Sequence, residues 1–195
     1  VPTLRLDAEL HYDDFGEGPP VVLLHGVTST GALEWRGIVG TLADDYRCIA
    51  PDLRGHGRSE RGTRPLTVAT LVDDLFALCE HLELSRPHLV GFSLGSHAVL
   101  RAALVRAEVA ASLTLIGFTS GRPADRPLPV TPIEPPEDWP VALRRAQEHL
   151  GADAWHDLYS EYATDLMREP EPAPEVLKAI ACPVLVILGA GEPEF

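Results

Sequence analysis

The chain has 195 residues, of which 45% are hydrophobic and 23% charged, as in a single soluble globular domain. Its formal net charge of −13 argues against nucleic acid and anionic membrane surfaces as partners, because both are negatively charged. No apolar run of membrane-spanning length and no signal-peptide pattern is present, so we expect a cytoplasmic protein without a membrane partner.

Short apolar runs alternate with helical patterns, which is typical of a parallel sheet covered by helices. The predicted strands cover residues 21–24, 47–53, 89–91, 113–118 and 184–188. The predicted helices of this part cover residues 33–44, 68–84 and 96–105. In the helix 68–84 the apolar residues recur every three or four positions, and Thr67 is the expected N-cap. The predicted fold class is therefore α/β, with a mostly parallel sheet flanked by helices.

The regular pattern ends after residue 119. Seven of the 18 prolines fall within residues 123–140, which excludes long helices and central strands there. Short helical segments follow at 142–150, 154–167 and 176–180. We therefore predict a core over residues 1–119, an inserted helical cap over 120–180, and a last strand with its loop over 181–195.

The segment Gly-Phe-Ser-Leu-Gly at residues 91–95 carries most of the functional information. It lies between a predicted strand and a predicted helix, the context of a nucleophile elbow. The glycines leave room for a sharp turn, and Ser93 is held at its tip, over the N-terminus of the helix. The partial positive charge of a helix N-terminus suits a developing oxyanion.

Three other loops follow predicted strands and reach the same edge of the sheet, where ligands bind in open parallel sheets. The three loops contain His25-Gly26-Val27, residues 52–59 and residues 189–192. The sequence thus predicts that polar and glycine-rich loops surround Ser93.

These segments together resemble the α/β-hydrolase superfamily, in its serine-nucleophile, esterase-like branch with a short helical cap. The likeness rests on His25-Gly26, on residues 52–59 and 91–95, and on the run 183–189. It implies that Ser93 is the nucleophile and that the backbone N–H groups of Val27 and Leu94 bind the oxyanion. His25 and His56 would shape loops rather than act as the base.

A serine at the elbow favours acyl transfer from a carboxylic ester, thioester or activated amide, because related dehalogenases and epoxide hydrolases carry Asp there. Serine-type relatives also include C–C bond hydrolases and cofactor-free haloperoxidases, and the motifs do not separate these alternatives. The expected partner is a small acyl substrate. No dinucleotide, phosphate-loop or zinc spacing is present in the sequence, so we expect no cofactor and no metal.

The resemblance places the acid of the triad at Glu192, with Asp125 as the second candidate. In the family the histidine follows the acid, whereas this chain ends at Phe195. We therefore expect the sequence to be a piece of a longer protein that continues with a helix, a strand and a histidine-bearing loop. The alternative is a catalytically incomplete protein that binds a ligand or partner on the same scaffold.

Several further side chains have structural explanations. His97 shares a helix face with Ser93 and is expected to be packed in the core. Arg54 and Arg58 are interpreted as braces of their loop rather than as ligands of an acidic substrate. The three cysteines are expected to be buried thiols in a reducing compartment. If the sheet ends at residues 184–188, its uncovered edge predicts self-association.

Overall fold

The computed structural model of the chain describes residues 1–118, 154–168 and 172–190. Seven strands form its sheet: β1 (Thr3–Arg5), β2 (Glu9–Phe15), β3 (Pro20–Leu24), β4 (Arg47–Pro51), β5 (His88–Phe92), β6 (Ser112–Ile116) and β7 (Val184–Ile187). Their spatial order is β1-β2-β4-β3-β5-β6-β7. From β4 across to β7 neighbouring strands are parallel, which confirms the predicted fold class.

Strands β1 and β2 were not predicted from the sequence. They are antiparallel to each other, and β2 is antiparallel to β4. No continuous apolar run marks β2, because the strand lies near the edge of the sheet and carries acidic residues. Its signal is instead the alternation of Leu10 and Tyr12, both of which are buried. That period of two is typical of a strand with one face against the core.

Five helices lie in the described parts of the chain: α1 (Gly31–Leu42), α2 (Val68–His81), α3 (Leu94–Val105), α4 (Ala154–Arg168) and α5 (Pro174–Leu177). The hydroxyl of Thr67 accepts a hydrogen bond from the N–H of Thr70, which confirms the predicted cap of α2. Helix α1 begins two residues earlier than expected, because Thr30 caps it by accepting from Leu33.

The two faces of the sheet are covered unequally. Helices α2 and α3 pack on one face, where the core includes Leu89 and Leu113. On the other face Trp35 of α1 packs over β3 and β4. Beyond α1, Phe92 and Ile116 on that face are only partly buried.

Helix α4 is attached to the core by one of its faces. A carboxylate oxygen of Asp165 accepts a hydrogen bond from the N–H of Val68 at 2.8 Å, and thereby caps α2. The hydroxyl of Tyr162 donates to the carbonyl oxygen of Arg54 at 3.2 Å, and both Leu158 and Tyr162 are buried. This helix matches the segment predicted at 154–167, whereas the predicted helix at 142–150 lies outside the described residues. The predicted division into a core (1–119), a cap (120–180) and a last strand with its loop (181–195) stays a prediction.

All three cysteines are buried and free, as expected from the sequence. Burial raises the pKa of the Cys79 thiol to about 11, which keeps it protonated and unreactive at neutral pH. Among the helices that the structure describes, none is long and apolar enough to cross a membrane.

Strand β7 forms one edge of the described sheet and is exposed along its whole length. The side chains from Val184 to Ile187 are 44 to 55% exposed, although all four are apolar. On its outer side the strand has no neighbour among residues 1–118, 154–168 and 172–190. An exposed apolar edge is a template for pairing with another chain.

We therefore expect a polypeptide of residues 1–195 to self-associate through β7. The double substitution Leu185→Lys/Ile187→Lys places charges on this edge and should shift the protein toward monomer in sedimentation velocity. As a matched control, Val105→Lys charges an exposed apolar residue at the end of α3 and should leave the distribution unchanged. A wild-type chain that stays monomeric across a hundredfold range of concentration would contradict the prediction.

Candidate active site at the turn between β5 and α3

Ser93 is the single residue between the end of β5 at Phe92 and the start of α3 at Leu94. Its backbone angles are φ +47° and ψ −113°, a conformation that non-glycine residues rarely adopt. The N–H of Ser93 donates to the carbonyl oxygen of Ile116 at 2.8 Å, which ties the turn to β6. A strained residue held in this way is a marker of functional sites.

The glycines on either side allow backbone to approach backbone. A Cβ at Gly95 would lie 2.2 Å from the carbonyl oxygen of Leu24, and one at Gly91 would lie 2.3 Å from that of Gly95. Real Cβ atoms do not make such contacts. Both positions therefore require glycine for lack of space, and the first turn of α3 packs directly on the end of β3.

Gly26 brings the loop after β3 against Ser93. A Cβ at Gly26 would lie 2.9 Å from Cδ1 of Phe92 and 3.4 Å from the Cβ of Ser93. The structure thus places together two of the segments that were expected from the sequence at this edge of the sheet.

His25 fixes the peptide unit that contains the N–H of Val27. Nε2 of His25 accepts a hydrogen bond from the N–H of Leu53 at 2.9 Å, so the proton of the neutral ring lies on Nδ1. Nδ1 then donates to the carbonyl oxygen of Gly26 at 2.7 Å, and the N–H of Ser29 donates to the same oxygen. Because that carbonyl shares a planar unit with the N–H of Val27, its position also sets the direction of the N–H.

The N–H groups of Val27 and Leu94 donate no hydrogen bond to any residue within the described ranges. Leu94 is the first residue of α3, where the amides have no partner inside the helix. Two amides beside Ser93 without an acceptor among the described residues fit the requirement of an oxyanion site.

His25 and His56 are unsuited to take a proton from Ser93. Both rings are fully buried, and burial lowers the pKa of each below its ordinary value. Nε2 of His56 lies 2.9 Å from the carbonyl oxygen of Val27, and Nδ1 lies 3.1 Å from that of Arg54. With every ring nitrogen engaged, the two histidines hold loops together.

His97 lies one turn along α3 from Ser93. Its ring contacts Phe118, with a distance of 4.8 Å between ring centroids. Burial lowers the pKa of His97 to about 4, so the ring is neutral at pH 7. The expected packing role agrees with this environment.

Arg54 and Arg58 are both engaged in ion pairs. The fully buried guanidinium of Arg54 contacts Asp7 at 2.9 Å and Asp74 at 2.7 Å. Arg58 pairs with Asp13 at 2.9 Å and with Asp52 at 2.8 Å. Both arginines therefore brace the loop after β4, as predicted, and leave no unpaired cation there for a substrate. The acidic partners lie 6 to 47 residues away in sequence, so sequence patterns did not reveal them.

The two carboxylates that pair with Arg54, those of Asp7 and Asp74, have pKa values shifted in opposite directions. The hydrogen bond from Arg54 lowers the pKa of Asp7, whereas burial raises the pKa of Asp74 despite the same guanidinium. Asp52 also accepts from the N–H of Gly31 and thereby caps α1 across the sequence. Through these contacts the loop after β4 is bound to the turn between β1 and β2, to α2 and to the start of α1.

The two acid candidates cannot be placed in this geometry, since both Glu192 and Asp125 lie outside the described residues. Ser93, Val27 and Leu94 are brought together, and their predicted roles stay predictions. Within the described ranges no group of three His, Cys, Asp or Glu side chains has the arrangement of a metal site.

A model of the alpha/beta hydrolase fold family matches residues 19–171. A soluble epoxide hydrolase from Corynebacterium sp. (strain C12) is 32% identical over 112 residues, covering 57% of this chain and 39% of the relative. A 2-hydroxy-6-oxononadienedioate/2-hydroxy-6-oxononatrienedioate hydrolase from Pseudomonas putida is 35% identical over 127 residues, covering 60% of this chain and 43% of the relative. The chain thus spans about two fifths of these curated relatives.

Among solved structures, a thermophilic esterase from Thermogutta terrifontis superposes with a TM-score of 0.69 at 23% identity. The superposition covers 96% of this chain and 80% of the esterase. At this level of identity the likeness concerns the fold.

The close contact at Gly95 leads to a stability prediction. Gly95→Ala should lower the free energy of unfolding by about 3 kcal/mol or more, because the methyl group meets main-chain atoms that cannot move aside. Gly37→Ala is the matched control, since a Cβ at this helical position meets nothing within 4 Å. The control should stabilise the protein by up to about 1 kcal/mol through helix propensity. Equal effects in urea unfolding would contradict the proposed packing.

The neutral state of His97 leads to a pH prediction. Its pKa rises from about 4 in the folded protein toward 6.5 on unfolding, so the unfolded state binds more protons between these values. The free energy of unfolding should therefore fall as the pH drops from 6.5 to 4, by at most about 3 kcal/mol for this group. The loss should be smaller in His97→Gln than in the wild-type protein. Parallel pH profiles for the two proteins would exclude this assignment.

Proposed function

Because the chain belongs to the α/β-hydrolase fold family, we propose that it supplies the nucleophile and oxyanion site of a serine hydrolase acting on carboxylic esters. The observation that carries the proposal is the strained backbone of Ser93 beside the N–H groups of Val27 and Leu94, which have no acceptor within the described part of the chain. The substrate class is a small acyl compound.

In the proposed reaction the hydroxyl oxygen of Ser93 bonds to the acyl carbon while its proton passes to a general base. The carbonyl oxygen becomes an oxyanion that accepts from the N–H groups of Val27 and Leu94, each of which typically contributes about 3 kcal/mol. The C–O bond of the ester then breaks, and the leaving alkoxide takes the proton. Water attacks the acyl-enzyme by the same steps and releases the acid.

The proposed base is a histidine outside residues 1–195, oriented by Glu192 or, as second choice, Asp125. The engagement of both ring nitrogens of His25 and of His56 argues against these two histidines as the base. Without its base a serine hydrolase retains only the effects of the oxyanion site and binding. The alternative of a ligand- or partner-binding protein on the same scaffold follows if no base is supplied.

The nucleophile distinguishes ester cleavage from epoxide opening on chemical grounds. Attack by a serine hydroxyl on an epoxide would leave a stable ether on Ser93, which water does not hydrolyse. Attack on an ester leaves an acyl ester, which water hydrolyses through the same oxyanion site. Despite the similarity to an epoxide hydrolase, Ser93 therefore favours acyl transfer.

A second candidate is hydrolysis of a C–C bond next to a ketone, and the similarity to the Pseudomonas putida hydrolase favours it. This chemistry also passes through an oxyanion, so Val27 and Leu94 would serve both reactions. The pairing of Arg54 and Arg58 with carboxylates argues against these arginines as anchors for an acidic substrate. Cofactor-free haloperoxidase activity is a further alternative that the same serine would support.

The proposal predicts that hydrolysis of p-nitrophenyl acetate depends on Ser93. In the protein that carries this chain, Ser93→Ala should lower kcat/KM by roughly 10⁴-fold or more. Ser85→Ala makes the same chemical change at an exposed position and should be silent. For residues 1–195 alone, added imidazole should replace the missing base, and the Ser93→Ala protein gives the background of free imidazole.

Mass spectrometry after brief exposure to the ester should locate an acetyl group on the peptide containing Ser93. Hydrolysis that survives Ser93→Ala, or an acetyl group elsewhere, would contradict the assignment. A protein that neither hydrolyses the ester nor becomes acetylated, with imidazole present, would favour the binding function.

A further inference from the structure

We infer that Ser96 is a positioning residue that aims the N–H of Leu94 at the reacting oxygen. The inference rests on the proposed function, since it concerns the oxyanion site. Ser96 lies in the first turn of α3 and is fully buried. No pattern in the sequence singles it out.

The carbonyl oxygen of Ser93 accepts three hydrogen bonds. The N–H groups of Ser96 and His97 donate to it at 2.9 and 3.3 Å, and the hydroxyl of Ser96 donates at 2.5 Å. The two amide bonds belong to the start of the helix, whereas the hydroxyl bond is specific to a serine or threonine at position 96. The side chain therefore adds the shortest of the three contacts.

The carbonyl of Ser93 and the N–H of Leu94 belong to one planar trans peptide unit. Fixing the oxygen from one side directs the N–H to the opposite side. The unit follows a residue with φ +47°, where the local backbone preference does not favour the observed conformation. The hydroxyl of Ser96 thus holds an orientation that the strained turn alone does not secure.

The hydrogen bond also acts on the donor strength of Leu94. A donor on the carbonyl oxygen polarises the peptide unit and strengthens the N–H at its other end. In the low-dielectric interior of a protein this effect is larger than in water. Ser96 thus contributes to both the direction and the strength of one oxyanion donor.

The second donor is held in the same way. The N–H of Val27 shares its peptide unit with the carbonyl of Gly26, which accepts from Nδ1 of His25 at 2.7 Å. Like Ser96, His25 has no exposed surface. Each of these two amides beside Ser93 therefore has a buried side chain bonded to the carbonyl oxygen at the opposite end of its peptide unit.

The test uses Ser96→Ala and Ser96→Cys in the protein that hydrolyses p-nitrophenyl acetate. Cys fills the space of the serine but is a weak donor. Both variants should lower kcat by about 10-fold with KM unchanged, a part of the 10²- to 10³-fold effect of deleting an oxyanion donor. Wild-type kcat in Ser96→Cys would show that the residue acts through packing alone, and would overturn the inference.

Residual dipolar couplings of the ¹⁵N-labelled protein provide a readout that does not require turnover. The coupling of the Leu94 N–H should change in both variants, while couplings of later residues of α3 remain constant. Ser112→Ala removes a serine hydroxyl bonded to His88 at the opposite end of the strands, and should alter neither kcat nor the Leu94 coupling. An unchanged Leu94 coupling in Ser96→Ala would refute the positioning role, whereas absence of turnover in the wild type would refute only the proposed function.

Discussion

The direct contact of main chain with main chain at the β5–α3 turn is the constraint on which the candidate site depends. Gly95 packs on the carbonyl oxygens of Leu24 and His25, so the end of β3 and the start of α3 cannot separate without loss of this contact. The contact holds Ser93 in its strained conformation and places the loop after β3 beside it. The N-terminus of α3 therefore lies directly beside Ser93, and its partial positive charge comes from backbone amide groups alone.

The loop after β4 gives this arrangement a rigid support. Asp52 caps α1, and the buried guanidinium of Arg54 joins the N-terminal hairpin to α2 through two carboxylates. A buried cation is tolerated because its donors are paired on several sides. His56 connects the same loop to the loop after β3, since its Nε2 lies 2.9 Å from the carbonyl oxygen of Val27. The site is therefore stabilised by contacts between residues far apart in sequence.

Local sequence patterns were sufficient to predict the parallel strands, the cap of α2 and the turn at Ser93. Continuous apolar runs mark buried strands, and glycines at fixed spacing mark a turn without room for side chains. The antiparallel strand β2 was missed because only Leu10 and Tyr12 signal it. The ion pairs of Arg54 and the contact of Ser96 with the Ser93 carbonyl depend on tertiary distances and on backbone angles, which composition and periodicity do not encode.

The attachment of α4 has an evolutionary consequence. Asp165 and Tyr162 bind an N–H and a carbonyl oxygen of the main chain, respectively, rather than side chains. Every amino acid except proline supplies both groups, so these two hydrogen bonds tolerate substitutions beneath the helix, whereas the ion pair of Glu161 with Arg61 and the contact of the Tyr162 ring with His56 depend on side chains. The helix can in turn diverge on its remaining faces without disturbing the core. Where α4 binds the main chain, the residues beneath it are thus free to vary, and the constraint on their identity is concentrated at Arg61 and His56.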